Sequence, residues 1–116
     1  MIIRHYTDIP AATVEAGAEG TTIREMITVR EGAPTFAMRL FELAPGGHTP
    51  FHAHPWEHEV FILEGAGAVN SEQGPQPFKA GDAVFIPGDE KHQFTNGGSG
   101  VLKFICVIPV QNPCDV

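Results

Sequence analysis

The chain has 116 residues, a length that suits one domain with its own hydrophobic core. Fourteen acidic residues against seven basic ones give a net charge of −7, which excludes a basic surface for nucleic-acid phosphates. No apolar run could span a bilayer and no signal peptide is evident, so we expect a cytoplasmic protein. Cys106 and Cys114 form no CxxC pair, so a thiolate zinc site is not expected.

Thirteen glycines and ten prolines divide the chain into short segments. In chain order, those rich in Val, Ile, Phe and Thr are TTIREMITVREG, PTFAMRLFELAPGG, EHEVFILEGAGAV, PQPFKAGDAVFIPGD, HQFTNGGSG and VLKFICVIPV. Several alternate between apolar and polar residues, as half-buried strands do. Short strands between regular turns predict an all-β sandwich or barrel, a single domain over residues 1–116. At most one short helix is expected, in a weak stretch over 11–19.

Two segments, residues 60–63 and 102–110, are apolar on both faces. Strands that are covered on both sides have this pattern. One face would line the barrel interior, and the other would meet a second sheet or a second subunit. We therefore expect a homodimer.

Four of the six histidines lie in the eleven residues HTPFHAHPWEH, 48–58. His52 and His54 are two residues apart and share a face of an extended segment. His58 keeps the same parity, although Pro55 interrupts regular strand geometry. Three neutral imidazoles facing one cavity commonly hold a transition metal. The alternative, a group of solvated histidines beside a turn, is the minority interpretation.

His92 is the other histidine with chemical context. It follows a Pro-Gly turn in IPGDEKHQFTN and stands two residues before Phe94. The pattern of residues alone does not bring His92 to the first three histidines.

The first histidine-rich stretch resembles the first motif of the cupin family. That motif runs Gly, five residues, His-x-His, three or four residues, Glu, six residues, Gly. Here it spans 46–65, from Gly46 through His52 and His54 to Gly65. The resemblance implies a double-stranded β-helix, or jelly-roll, barrel.

The second cupin motif is matched over residues 81–96. It runs Gly, five residues, Pro-x-Gly, two residues, His, three residues, Asn, and here it contains Pro87, His92 and Asn96. Asp89 stands where the family has Gly, and the residue before it is glycine. Both residue types tolerate positive φ, so the turn is expected to form. The resemblance implies that His92 joins the other histidines.

The third position of the first motif departs from the family. His58 stands where the family has a metal-binding glutamate, and Glu59 is the alternative ligand if four residues intervene. His58 is preferred because it keeps the six-residue spacing to Gly65. The resulting set is similar to small manganese-binding monocupins, with His52, His54, His58 and His92 as ligands. The resemblance implies a divalent metal, Mn²⁺ first, with Fe²⁺, Cu²⁺, Ni²⁺ or Zn²⁺ as alternatives.

Six residues are candidates for the substrate pocket: Trp56, Phe94, Phe104, Cys106, Ile108 and Arg39. Trp56 could equally pack on the barrel surface. Cys106 is interpreted first as a small buried hydrophobe. Arg39, a charge among apolar residues, either binds an anionic substrate or extends to solvent. His48 lies outside the motif and is not counted as a ligand, and His5 has no context that suggests chemistry.

Four neutral ligands on an octahedral ion leave two positions for substrate, O₂ or peroxide. We predict an oxidoreductase, dioxygenase-like or performing peroxide-dependent oxidative cleavage, on a small and partly apolar substrate. No proton-transfer residue accompanies the ligands, which favours redox chemistry. The alternatives are a non-catalytic metal-dependent binding or sensing module, and a sugar or keto-acid isomerase, which would have a more polar pocket.

Overall fold

The computed structural model of the chain describes residues 1–14 and 16–110, so Cys114 lies outside the described residues. The strands in this part are β1 (Ala12–Thr13), β2 (Glu19–Ile27), β3 (Phe36–His48), β4 (His58–Glu64), β5 (Ala66–Ser71), β6 (Gly74–Lys79), β7 (Ala83–Ile86), β8 (Gln93–Thr95) and β9 (Leu102–Pro109). Two 3-10 helices, Tyr6–Asp8 and Val29–Glu31, complete the regular structure of these residues.

The strands form one antiparallel sheet that curls on itself. Its order is β6-β5-β8-β3-β9-β4-β7, and β2 pairs with β3 and β1. The long strand β3 curls the sheet because the edge opposite β2 pairs with two different strands in turn. Its residues 36–43 pair with β9, while His48 at its end pairs with Thr95 of β8. The predicted all-β jelly-roll fold is confirmed.

Strand alternation directs side chains into the interior of the curl. In β4, His58, Val60 and Ile62 are buried, whereas Glu59 and Phe61 are exposed on the outer face. The hydrophobic core combines such inward residues from several strands: Ala37, Leu43, Val60, Ile62, Phe78, Ile86, Phe94, Leu102, Phe104, Cys106 and Ile108. Each large apolar side chain buried in this way contributes about 1.5–3 kcal/mol to folding. As the first residue of β4, His58 therefore lies at the edge of the hydrophobic core.

The outer face of the same strands remains apolar. Phe61 of β4 and Phe85 of β7 are 46% and 61% exposed. This agrees with the two-sided apolar pattern in the sequence. The homodimer that was expected to cover this face stays a prediction.

The described residues of the stretch 11–19, the one place where a short helix was plausible, form no α-helix, which agrees with the prediction of at most one. Ala12 and Thr13 pair with Ile23 and Thr22 as strand β1, and β2 already begins at Glu19. Pairing with a neighbouring strand therefore overrides the weak local helix preference. Among the described residues, no helix has the length and apolarity needed to cross a membrane.

A tight turn before β8 sets the position of His92. Asp89 has φ 67°, so it does take the left-handed conformation that the sequence allowed. Its backbone N–H donates to the carbonyl of His54 at 2.6 Å. Beyond the short strand β8, the buried Asn96 donates from Nδ2 to the carbonyls of Leu43 and Gly100, at 2.9 and 2.8 Å. Hydrogen bonds to other segments therefore hold the second motif in place at Asp89 and at Asn96.

Gly88 is expected to be intolerant of any side chain. A Cβ at this position would lie 2.5 Å from the Pro55 carbonyl oxygen, so Gly88→Ala forces the turn away from the segment that carries His54. We expect a loss of about 1–3 kcal/mol in the free energy of unfolding, measured by urea titration. The matched control is Gly97→Ala, because a Cβ there meets nothing within 4 Å. Equal stability of the two variants would contradict this account of the turn.

Candidate metal centre

The backbone itself brings the two motifs together. His52 and His92 form an isolated antiparallel bridge, in which the N–H of each donates to the carbonyl of the other, at 3.1 and 2.9 Å. His54 follows in the same extended segment, and His58 enters from the start of β4, opposite Ile86. The four predicted ligands therefore come from three chain segments: His52 and His54 from one, His58 from the start of β4, and His92 from the segment before β8.

The four imidazole rings form a closed four-sided cluster. Neighbouring ring centroids are 4.3 Å apart for His52 and His54, 5.5 Å for His54 and His58, 4.7 Å for His58 and His92, and 5.1 Å for His92 and His52. One diagonal, His54 to His92, measures 6.5 Å. Several of these contacts are edge to face. In the part of the chain that the structure describes, no three His, Cys, Asp or Glu side chains could hold a metal ion as they stand, so ligation needs these nitrogens to converge further.

The hydrogen bonding of the rings is compatible with metal ligation. Nδ1 of His92 lies 2.9 Å from the carbonyl oxygen of Glu90. Because a carbonyl only accepts, this Nδ1 carries the proton and leaves Nε2 with a free lone pair. Nδ1 of His58 is buried and has no hydrogen-bond partner. A buried nitrogen without a partner is costly unless a ligand satisfies it, so the donor set fits a metal ion.

Burial keeps the imidazoles in the neutral form that ligates metals. Loss of hydration, followed by repulsion from the neighbouring histidines and Arg39, lowers the pKa of His52 to about 4. The same causes, with burial again largest, lower the pKa of His58 to about 3. The pKa of His54 is also lowered, first by burial and then by the charges of His92 and Arg39. These three rings therefore present lone pairs, without a proton to displace, at neutral pH.

A cavity of about 190 Å³ opens beside the cluster. The residues that line it are Val14, Ile23, Arg39, Phe41, Thr49, Pro50, His52, His54, His58, His92, Phe94, Phe104 and Cys106. Three phenylalanines make one wall, with ring centroids 4.6 Å apart for Phe94 and Phe104 and 5.2 Å apart for Phe41 and Phe104. No acidic side chain is among these lining residues. The cavity suits a flat, apolar molecule.

Four of the six expected pocket residues lie in this cavity: Arg39, Phe94, Phe104 and Cys106. The other two do not line it. Trp56 stacks on the ring of His54 at 4.5 Å and packs against the core, and its Nε1 is buried without a partner. Ile108 is buried in the core near the end of β9, opposite Ala37.

Arg39 lines the cavity and is half-buried, with its Nε fully enclosed. Nη2 of Arg39 donates to Sγ of Cys106 at 3.1 Å, and Cζ lies 5.2 Å from the centre of the Phe41 ring. Burial raises the pKa of the Cys106 thiol, an effect that the Arg39 charge only partly offsets. The thiol is therefore neutral and unreactive at neutral pH.

The remaining histidines and the alternative ligand lie elsewhere. His48 sits outside the cavity, with Nε2 3.9 Å from a Glu19 carboxylate oxygen and Nδ1 3.3 Å from Nε2 of Gln93. His5 caps the first 3-10 helix at the surface. Glu59 is exposed on the outer face of β4, directed away from His58. Of the six histidines, His52, His54, His58 and His92 are the ones that line the cavity.

Several cavity residues did not stand out in the sequence, namely Val14, Ile23, Phe41, Thr49 and Pro50. Phe41 could have been found, because it is two residues from Arg39 in a predicted strand and therefore shares its face. Val14 and Ile23 reach the cavity only because β1 and β2 pair beside β3. No local pattern indicates that pairing.

Comparison with known proteins assigns the family. The model of the cupin domain family matches residues 39–108, so the chain belongs to this family. Among solved structures, the polyketide cyclase RemF of Streptomyces resistomycificus is 40% identical, with a TM-score of 0.90 over 97% of this chain and 82% of that one.

Two relatives of known name are named for different activities. The 1-methylthio-D-xylulose 5-phosphate methylsulfurylase of Rhodospirillum rubrum is 30% identical over 101 residues, 87% of this chain and 65% of that protein. The polyketide synthase CurC of Streptomyces cyaneus is 33% identical over 88 residues, 74% of this chain and 57% of that protein. The chain thus spans 57–65% of the length of these two relatives. Members of one family carry different activities, so the reaction must be argued from the cavity.

The lowered pKa values predict an acid-sensitive metal-free protein. Unfolded histidines take up protons near pH 6.5, whereas folded His52 and His58 do so only near 4 and 3. The unfolded state binds more protons between these values, so the free energy of unfolding falls as pH falls from 6.5 toward 4. Urea titrations of EDTA-treated protein across this range measure the slope. His58→Gln should flatten it, and His5→Gln controls for removing a histidine outside the cavity. An unchanged slope in His58→Gln would refute the assignment.

Proposed function

We propose that the chain is a metal-dependent cupin enzyme that acts on a flat, largely apolar carbonyl compound, with ring closure of a polyketone as its reaction. The observation that carries this proposal is the shared cavity. Four clustered imidazoles form part of its lining, and the stacked rings of Phe41, Phe94 and Phe104 form another part. A planar substrate packed on those rings would present a polar edge to the imidazoles.

His52, His54, His58 and His92 would hold the metal ion. A divalent ion held there would supply Lewis acidity toward a carbonyl oxygen. Mn²⁺ remains the first choice from the family resemblance, and imidazole also suits Zn²⁺, Fe²⁺, Cu²⁺ and Ni²⁺. A ring closure needs no change of metal oxidation state, so a redox-inactive ion such as Zn²⁺ would serve equally well.

The cavity walls would contribute to catalysis by excluding water and by orienting the substrate. The phenylalanine rings exclude water and hold a planar chain against one face, which favours one folded conformation of a flexible polyketone over others. A CH₂ between two ketones is acidic, so it can form a new carbon–carbon bond to a carbonyl in the same molecule with loss of water. The relatives RemF and CurC support this substrate class, since both carry polyketide in their names.

Oxidation is the second candidate. The sequence-based prediction of a dioxygenase-like or peroxide-dependent oxidative cleavage is favoured by one feature of the cavity. No carboxylate stands among the lining residues that the structure describes, so acid–base chemistry has few side chains to use. The same apolar lining disfavours a sugar or keto-acid isomerase, and a binding or sensing module is the outcome if no turnover occurs. Cytoplasmic location and a homodimer stay predictions.

Elemental analysis of the purified protein tests the metal site. We expect about one divalent ion per chain in the wild type, and at least a tenfold loss of affinity in His52→Ala and in His92→Ala, since each removes one ligand. His48→Ala is the matched control, because this ring lies outside the cavity and should leave metal content unchanged. If the wild-type chain binds none of the divalent ions offered, the proposal is wrong.

Dependence on oxygen separates ring closure from oxidation. Incubated with a synthetic aromatic polyketone under nitrogen, the metal-loaded enzyme should give a product lighter by one water, at the same rate as in air. His58→Ala should lose this turnover because His58 would no longer hold the metal. Mass spectrometry and an oxygen electrode measure the two outcomes. Turnover that occurs only with O₂ or peroxide would instead support the oxidoreductase.

A further inference from the structure

Arg39 brings a permanent positive charge into the cavity. Its guanidinium lines the cavity together with the four histidines, and its face lies over the ring of Phe41. Nη2 donates to the sulfur of Cys106, whereas Nε is buried and has no acceptor. Nε and Nη2 lie on the same edge of the planar guanidinium. The acceptor on this edge is the neutral thiol of Cys106, which accepts hydrogen bonds only weakly. The Nε–H on this edge is therefore available to donate a hydrogen bond to a ligand.

Arg39 differs from the other arginines in lacking a carboxylate partner. Three of them form ion pairs: Arg4 with Glu31 at 3.2 Å, Arg24 with Glu42 at 3.0 Å and Arg30 with Glu25 at 3.3 Å. Within the described residues, no carboxylate lies within ion-pair distance of Arg39. Glu25 pairs with Arg39 in the register of β2 and β3, but its Oε2, which accepts no hydrogen bond, lies 3.3 Å from Nη1 of Arg30.

An unpaired charge among apolar side chains opposes folding. The other lining groups do not offset it, since the histidines act as neutral ligands and a bound divalent ion would add positive charge. Proteins keep such costly groups where function needs them. An anionic group on a ligand would supply both the missing charge and the missing acceptor, in the bidentate geometry that guanidinium favours.

We propose that Arg39 binds a carboxylate on an aromatic substrate, whose ring packs against Phe41 and Phe104. The cavity therefore selects for molecules with a negative charge at one end of a flat apolar body. This specificity deepens the proposed function and rests on it for the reaction. The binding step, however, depends on Arg39 and not on the metal.

Two probes of equal shape test the charge requirement. Benzoate and benzamide are titrated by calorimetry into the wild-type chain, both as purified and after metal removal with EDTA. We expect benzoate to bind at least tenfold more tightly than benzamide in both preparations. Arg39→Gln should abolish that preference, and Arg39→Lys should keep only part of it because the planar fork is lost. Arg4→Gln is the control, because Arg4 pairs with Glu31 and does not line the cavity, so this variant should leave the preference intact.

Thermal stability distinguishes a binding residue from a structural one. If Arg39 serves the ligand, Arg39→Met should melt no lower than the wild type, because an unpaired charge is replaced by an apolar side chain of similar length. Arg24→Met is the comparison: it breaks an ion pair with Glu42 and bonds to the carbonyls of Tyr6 and Ile9, so it should melt lower. Arg39→Met melting as low as Arg24→Met would overturn the proposal in favour of a structural role.

The two proposals fail in different ways. Equal binding of benzoate and benzamide to the wild type, or a preference that survives in Arg39→Gln, overturns the carboxylate site while leaving the metal site intact. Loss of the benzoate preference after metal removal, with Arg39 present, would also overturn it, since the carboxylate would then have been bound to the metal. Absence of metal from a chain that still prefers benzoate through Arg39 would overturn only the proposed function.

Discussion

Two reciprocal hydrogen bonds between the backbones of His52 and His92 hold the site together. They join segments that are forty residues apart in the chain, and they continue the pairing of the end of β3 with β8. The close approach of Gly88 to Pro55 and the bond from Asp89 to His54 depend on the same contact. Since His58 is held separately by β4, shifting either motif by one residue would disperse the ring cluster, because alternate residues face opposite sides.

The electrostatics of the cavity follow from the burial of its histidines. Burial is the largest cause of the lowered pKa values of His52, His54 and His58, and it keeps these rings as neutral donors. Neutral donors would leave the full charge of a divalent ion in place, whereas a glutamate ligand would cancel part of it. Together with Arg39, this makes a cavity that favours electron-rich and anionic groups in an otherwise apolar enclosure.

The fold and the donor set do not determine the reaction. The chain belongs to the cupin domain family, and its relatives include proteins named for sulfur chemistry and for polyketide chemistry. What differs within such a family is the lining of the cavity next to the histidines. Here that lining is three stacked phenylalanines and one unpaired arginine, which suits a planar molecule with a charged end better than a polyhydroxylated sugar.

The sequence by itself determined the strands and the parity of the histidines. Both are local properties, because alternation has a period of two wherever a strand has one buried face. The position of His58 inside and Glu59 outside follows from the same rule. Local preference failed over residues 11–19, where a weak helical pattern gave way to pairing between β1 and β2.

Only the tertiary structure decided which residues share the cavity. His92 meets His52 through a bridge between distant segments, and Arg39 meets Cys106 because β3 and β9 pair in that register. Trp56 and Ile108 have suitable parity, yet one stacks behind His54 and the other lies in the core near the far end of β9. Parity fixes the face on which a side chain lies, but the distance between side chains on different strands depends on long-range pairing, which no local pattern encodes.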